Sequence, residues 1–171
     1  MLKEQATLFK RLTITSDLVL VLGAFLLAYQ VRLELPGQLS HLQDYAWILF
    51  FIFPMWYLSL SACGMYDSLR HYGFVEIFLR VFRAHLYCGL VLSSLVLFLD
   101  RDQFSRGLIL IFILSSFVLL TIHRISIKYF LSNVRRRGYN LRYCLVAGTQ
   151  EKARGFIDLV TSRNDWGIKI T

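Results

Sequence analysis

The stretch RRRGYNLRYCLVAG, residues 135–148, divides the chain into two parts of different composition. Before it, long apolar segments dominate, and 56% of all 171 residues are hydrophobic, with a mean hydropathy of +0.53. Soluble globular proteins hold about 45–50% apolar residues. After it, short apolar runs alternate with polar turns, as in an α/β domain. The stretch therefore predicts the junction between a membrane region, residues 1–134, and a soluble domain, residues 135–171.

Four apolar segments precede this junction, at residues 12–31, 45–62, 84–99 and 108–131. Because a helix of about 20 residues crosses a hydrocarbon core roughly 30 Å thick, each segment predicts a transmembrane helix. A cleaved signal peptide is the competing interpretation of the first segment, but no small-x-small site follows it and three more apolar segments come later. Residues 1–11 are basic, with apolar side chains in helical phase, and predict a short amphipathic helix at the membrane surface.

Lysine and arginine indicate the orientation of these helices. If the N-terminus is cytoplasmic, twelve of these cations fall in cytoplasmic segments and three in outer loops. Since cytoplasmic loops carry such an excess, both termini are predicted to be cytoplasmic. The net charge of +8 then follows from topology and anionic headgroups, and nucleic acid is not expected as a partner. The twelve are Lys3, Lys10, Arg11, Arg70, Arg80, Arg83, Arg124, Lys128, Arg135, Arg136, Arg137 and Arg142; the three are Arg32, Arg101 and Arg106.

Ionisable residues in or near the apolar segments are the next candidates. Asp17 is either a functional group within a span or a carboxylate at interface depth near a helix N-terminus, and the second interpretation is favoured. His85 and His123 are expected to be packed or interfacial. Five cations after the fourth segment are predicted to contact lipid headgroups and fix the topology, with the first two snorkelling to the surface. They are Arg124, Lys128, Arg135, Arg136 and Arg137.

The residues after the junction predict the start of a Rossmann-like domain. A β-compatible run at residues 141–147 is followed by a turn, a helical pattern at 150–163 and a second strand from residue 168, which makes an incomplete β–α–β unit. A dinucleotide site needs G-x-G-x-x-G/A at the turn. Gly148 and Ala153 fit and are the candidate cofactor-binding residues, but Gln150 replaces the central glycine. We therefore predict a structural turn and no cofactor in this chain.

Residues for other chemistry are sparse. The three cysteines are widely spaced and the four histidines show no ligand spacing. No metal site and no catalytic residue is predicted.

Four groups of short motifs recur through the chain in a definite order and spacing. They are Asp17 followed by Ala28-Tyr29-x-x-Arg32; Gly64-Met65-Tyr66; Phe104-Ser105-Arg106 followed by His123-Arg124; and Arg137-Gly138-Tyr139-Asn140-Leu141-Arg142 before Leu145-Val146-Ala147-Gly148. Together they resemble the N-terminal half of the large bacterial polyprenyl-phosphate hexose-1-phosphate transferases. These enzymes initiate exopolysaccharide, capsule and O-antigen synthesis.

The resemblance implies a multi-pass protein of the bacterial inner membrane with four transmembrane helices and a Rossmann-like regulatory domain. It further implies a separate catalytic domain that uses Mg²⁺ to transfer a sugar phosphate from a nucleotide sugar to undecaprenyl phosphate. None of that catalytic part lies in these 171 residues, so the parent protein is expected to be an enzyme and this chain alone is not. The implied partners are the lipid bilayer, polyprenyl phosphate and a second copy of the chain.

Two other functions remain open at this point. Membrane-anchored nucleotide-sugar 4,6-dehydratases share the architecture but keep the glycine fingerprint, and Gln150 argues against them. A non-enzymatic membrane scaffold made of this chain alone is the third hypothesis, and the unfinished sheet argues against it.

Overall fold

A computed structural model gives the fold of the chain. It describes residues 2–36, 39, 41–67, 72–98, 105–137, 142–144, 146, 153–155, 157–158, 160 and 168–170.

The described residues are mostly helical. Three helices are long and apolar enough to cross a membrane, at Thr7–Glu34, Leu42–Ala62 and Arg106–Val134. The third predicted span, residues 84–99, is helical as far as Phe98, and its crossing of the membrane stays a prediction. The helices are α1 at Leu2–Glu34, a 3-10 turn at Leu42–Tyr45, α2 at Ala46–Ala62, α3 at Phe74–Phe98 and α4 at Arg106–Arg136.

The first and last helices are longer than their apolar segments. With 33 and 31 residues, α1 and α4 extend about 50 and 46 Å at 1.5 Å per residue, more than a hydrocarbon core of roughly 30 Å. Residues 2–11 are helical, as predicted, but they do not form a short helix of their own, because α1 is continuous from Leu2 to Glu34. The sequence has no glycine or proline before Gly23 that would end the helix earlier.

The chain divides into two compact units, and α4 belongs to both. One unit holds Met1–Asp67 and Gly73–His123; the other holds Tyr72 and Arg124–Thr171. Aromatic rings form much of the core of the first unit. The Phe112 ring lies 5.6 Å from the Phe25 ring and 5.1 Å from the Trp56 ring, measured between centroids.

The second unit contains a short parallel sheet. Strand β1, Arg142–Cys144, pairs with β2, Ile168–Ile170, so that Tyr143 is opposite Lys169. Between them residues 153–155, 157–158 and 160 are helical. Parallel strands require a crossover connection of this kind. Three residue pairs do not establish a doubly wound domain, so the Rossmann-like assignment stays a prediction, as does the domain boundary at residue 135.

Candidate functional site

The candidate site lies along the seam between α1 and α4, which pack antiparallel in the first unit. In its middle, the Ser115 hydroxyl donates to the Ala24 carbonyl oxygen over 3.3 Å. At one end, Arg32 Nε donates to Ser105 Oγ over 2.8 Å. As the residue number increases along α1, the residue number of its contact near or on α4 decreases. The first and last helices are therefore antiparallel and direct neighbours.

A carboxylate and an imidazole meet at the other end of this seam. Asp17 Oδ1 lies 3.0 Å from His123 Nδ1, although 106 residues separate them in sequence. The Asp17 side chain is 0% exposed, whereas the His123 side chain is 22% exposed. Ser16 Oγ lies 3.4 Å from His123 Nε2 and donates its hydrogen to the Thr13 carbonyl oxygen over 2.9 Å. The pair can therefore form a hydrogen bond that joins α1 to α4 across the seam.

The Arg32 end of the seam ties the helix termini together. Beyond Ser105, the Arg32 guanidinium donates to the carbonyl oxygens of Leu35 and Pro36, each over 3.1 Å. Ser105 Oγ in turn accepts the Leu108 amide near the start of α4. Arg32 thus binds carbonyl oxygens at the C-terminal end of α1 and also the Ser105 hydroxyl, which caps the N-terminal end of α4.

A second seam joins α2 and α3, which are consecutive in the chain. The Ser59 hydroxyl donates to the Ala84 carbonyl oxygen over 2.9 Å, and the Cys88 thiol lies 3.7 Å from the Met55 carbonyl oxygen. These contacts make α2 and α3 an antiparallel helical hairpin.

A buried histidine with different partners lies in this second seam. Trp56 Nε1, which can only donate, lies 3.4 Å from His85 Nε2. His85 Nδ1 lies 2.9 Å from the Val81 carbonyl oxygen, and the main chain of Ser116 also faces the ring. Since Nε2 must accept from Trp56, the proton lies on Nδ1 and the ring is neutral. His85 therefore has a packing role, as the sequence predicted.

A glycine turn closes the hairpin between α2 and α3. Gly64 has φ +69°, a conformation that favours glycine, and a Cβ at this position would lie 2.7 Å from Arg80 Nη1. Arg80 fills that space because Nη1 donates to the Cys63 carbonyl oxygen over 2.8 Å, while Nη2 pairs with Glu76 at 3.0 Å. Burial raises the pKa of the Cys63 thiol, although Arg80 and Arg83 lower it. The turn thus explains the glycine of the Gly64-Met65-Tyr66 motif.

Comparison with known protein families settles the classification. The CoA-binding domain family matches residues 61–171, well over half of the 171 residues. The chain belongs to this CoA-binding domain family. Domains of the family occur in sugar-transferase proteins. The matched region begins at the end of α2 and includes α3, α4 and both strands. No curated protein and no solved structure matches the chain.

Within this member of the CoA-binding domain family, the predicted headgroup cations are placed differently from one another. Arg124 is 1% exposed and Lys128 is 9% exposed; the Lys128 ammonium donates to the Tyr72 carbonyl oxygen. Both lie on α4 and contact protein. Arg137 is exposed just after the helix. The side chains of Arg135 and Arg136 lie outside the described residues, so their contact with headgroups stays a prediction.

The predicted cofactor positions are only partly described. Gly148 and Gln150 lie outside the described residues, and Ala153 is half-buried at the start of the helical residues between β1 and β2. Among the described residues, no group of three or more His, Cys, Asp or Glu side chains could hold a metal ion. Because Gly148 and Gln150 lie outside the described residues, the absence of a cofactor at this turn stays a prediction.

Sequence reasoning did not pair Asp17 with His123. The sequence pattern gives each residue its own interpretation, and it favours Asp17 as a carboxylate at the interface. A signal was present, because both residues lie towards the cytoplasmic end of an apolar segment under the predicted topology. Opposite ionisable groups at matching depth in two spans are candidates for a pair.

Proposed function

We propose that the chain is the membrane anchor and the start of the regulatory domain of a glycan-initiating enzyme. That enzyme transfers a hexose-1-phosphate from a nucleotide sugar to undecaprenyl phosphate in the bacterial inner membrane. One observation carries the proposal: residues 61–171 match a domain family found in sugar-transferase proteins, in a chain with three helices able to cross a membrane.

The proposed anchor has four spans and cytoplasmic termini. The antiparallel packing of α1 with α4 supports an even number of crossings, because Asp17 and His123 meet at one end of the seam and Arg32 and Ser105 at the other. The distribution of Lys and Arg orients the Asp17 end towards the cytoplasm. A reporter fused after Gly138 should be inactive in the periplasm and active in the cytoplasm. Periplasmic activity at this site would overturn the topology.

The proposed link between anchor and soluble domain is α4 itself. This helix is continuous from Arg106 to Arg136, and only five residues separate its end from Arg142 in β1. The anchor and the soluble domain are therefore joined by a short connection in sequence.

No ligand is proposed for the turn after β1, in spite of the family's description as a CoA-binding domain. Phosphate recognition at such a turn uses main-chain amides that glycines leave accessible, and Gln150 with Glu151 supplies bulk and negative charge there. Titration of the detergent-solubilised chain with coenzyme A and with NAD should give no saturable heat. Saturable binding of NAD would favour the dehydratase hypothesis instead.

The activity assay compares the 171-residue chain with the product of its complete gene. With undecaprenyl phosphate, Mg²⁺ and a UDP-sugar, the complete product should release UMP and the 171-residue chain should not, because no catalytic residue is assigned within it. UMP release by the 171-residue chain alone would overturn the assignment. NAD-dependent dehydration of the nucleotide sugar by the complete product would replace it with the dehydratase.

A further inference from the structure

An arginine lies on the outer face of the α2–α3 hairpin. Arg83 is exposed on α3. Its neighbour Ala84 accepts a hydrogen bond from Ser59 in the last turn of α2, so Arg83 lies at the same level as that turn. Since Leu42–Ala62 is long and apolar enough to cross a membrane, this level is the edge of the apolar region.

Exposed apolar side chains flank Arg83 along α3. Leu79, Leu86 and Tyr87 are 44%, 50% and 57% exposed. They lie three or four residues from Arg83 and therefore share its helix face, and we call these three residues the apolar stripe. A side chain in a helix leans towards the N-terminus of that helix, and for α3 this is the end at the glycine turn. The Arg83 guanidinium therefore extends from the apolar stripe towards the polar edge of the membrane.

The carboxylates at this end of the hairpin lie beside a different arginine. Glu76 pairs with Arg80 at 3.0 Å. A Cβ on Gly64 would lie 2.7 Å from Arg80 Nη1 and 3.2 Å from Asp67 Oδ2, so Asp67 also lies close to Arg80. Among the residues that the structure describes, the Arg83 guanidinium forms no hydrogen bond and no ion pair. Arg83 thus presents a cation, with apolar neighbours on both sides, to the lipid.

We propose that Arg83 binds the phosphate of an anionic phospholipid whose acyl chains lie against the apolar stripe of α3. A guanidinium can donate two parallel hydrogen bonds to phosphate oxygens. A phosphodiester carries the single negative charge that one arginine neutralises, and its acyl chains cover the apolar stripe on the same face. The site rests on the membrane anchor within the proposed function, but not on the transfer of a sugar phosphate.

Native mass spectrometry of the 171-residue chain tests the proposal. The detergent-solubilised chain is mixed with phosphatidylglycerol or with phosphatidylcholine at equal concentration, and the fraction that retains one lipid gives the apparent Kd. Phosphatidylglycerol should bind about tenfold more tightly, because the choline cation offsets the phosphate charge. Excess inorganic phosphate should not displace it, since that ion cannot cover the apolar stripe. Equal retention of the two lipids, or displacement by inorganic phosphate, would overturn the proposal.

A matched pair of variants locates the site. Arg83→Gln should weaken the binding of phosphatidylglycerol about tenfold and leave that of phosphatidylcholine unchanged. Arg106→Gln removes an equal charge at an exposed position at the start of α4 and should change neither. Equal losses in the two variants would assign the preference to net charge and overturn the site.

A third variant covers the case in which Arg83→Gln does not fold. Arg83→Lys keeps the charge but cannot donate two parallel hydrogen bonds, so it should weaken the binding of phosphatidylglycerol about threefold. Unchanged binding in Arg83→Lys would overturn the proposed phosphate contact. None of these results depends on UMP release, so the lipid site and the proposed function fail separately.

Discussion

The two helix seams of the bundle are built differently. The α2–α3 seam joins neighbours in the chain through a glycine turn, where Arg80 binds the Cys63 carbonyl oxygen, and its contacts at Trp56, Ser59 and Cys88 are between neutral groups. The α1–α4 seam joins the first and last helices in the sequence, and polar groups connect them at both ends of the seam. A hairpin obtains its register from its turn, whereas helices far apart in sequence need a specific contact to set theirs.

Contacts between ionisable side chains thus occur in the seam whose two helices are not joined by a short turn. Apolar helices in a membrane have little hydrophobic drive to associate, so packing and interhelical polar contacts decide their arrangement. Asp17 and His123 can face each other in only one register of α1 against α4. We infer that their contact specifies this register, and the following substitutions test the contrast between the two seams.

The largest effect is expected from His123→Leu. This change removes the imidazole 3.0 Å from a carboxylate with no exposed area, and loss of one member of a buried pair costs about 3–5 kcal/mol of the free energy of unfolding. Reversible unfolding in mixed micelles measures it. His41→Leu, an exposed position before α2, is the control and should change little. Equal effects of the two substitutions would contradict the buried pair.

Asp17→Leu should cost less, about 1–3 kcal/mol. The remaining His123 side chain is 22% exposed, so its ring nitrogens can form hydrogen bonds with water once the carboxylate is gone. The same unfolding experiment gives the value. A loss larger than that of His123→Leu would show that burial of the carboxylate is not the dominant cost.

Gly64→Ala tests the turn that sets the register of the α2–α3 seam. A left-handed φ of +69° costs a residue with a Cβ about 1–2 kcal/mol, and the new methyl group would displace the Arg80 guanidinium from the Cys63 carbonyl oxygen. Gly73→Ala is the matched control, because nothing lies within 4 Å of a Cβ there. If Gly73→Ala were as destabilising as Gly64→Ala, the turn would not be the constraint.

Trp56→Phe tests the neutral contact within the same seam. It removes the hydrogen donated to His85 Nε2 and keeps most of the ring, so a loss of about 1 kcal/mol is expected. Trp47→Phe, on the same helix, is the comparison. An effect of Trp56→Phe that approached that of His123→Leu would remove the distinction between the two seams.

The smallest effect concerns the reactivity of Cys63, just beyond α2. Burial raises the pKa of this thiol, so its thiolate should form only at a pH above that of an exposed cysteine. The rate of iodoacetamide alkylation against pH, in a Cys88→Ser, Cys144→Ser background, measures the shift. The direction follows from the neutral form being favoured: alkylation is slow at neutral pH and rises at alkaline pH. A profile like that of free cysteine would contradict the burial.

The helices could be predicted from the sequence because their apolar segments are long and uninterrupted. Predicted spans at residues 45–62 and 108–131 lie at or within the observed membrane-length helices Leu42–Ala62 and Arg106–Val134. The ends of the helices were harder to predict from the sequence, since the polar residues before residue 12 continue α1 without a break. The spacing of hydrophobic residues shows which face of a helix is buried, whereas helix propensity and capping residues determine where the helix ends.

The polar pairs could not be derived one residue at a time. Asp17 is compatible with an interface position in sequence, and only the packing of α1 on α4 brings His123 to it. Likewise Lys128 fits a snorkelling cation by its position, but its ammonium donates to the carbonyl oxygen of Tyr72. Contacts between residues 56 or 106 positions apart depend on tertiary structure, which local patterns do not contain.

A double-mutant cycle between Asp17 and His123 tests the central claim most directly. In the 171-residue chain, Asp17→Leu and His123→Leu are made singly and together, and the free energy of unfolding is measured for each. Replacing both members of a buried pair by apolar residues is often neutral or stabilising. The account therefore predicts that the double variant is more stable than His123→Leu alone. Losses that simply add would show that the two residues act independently and would contradict the seam described above.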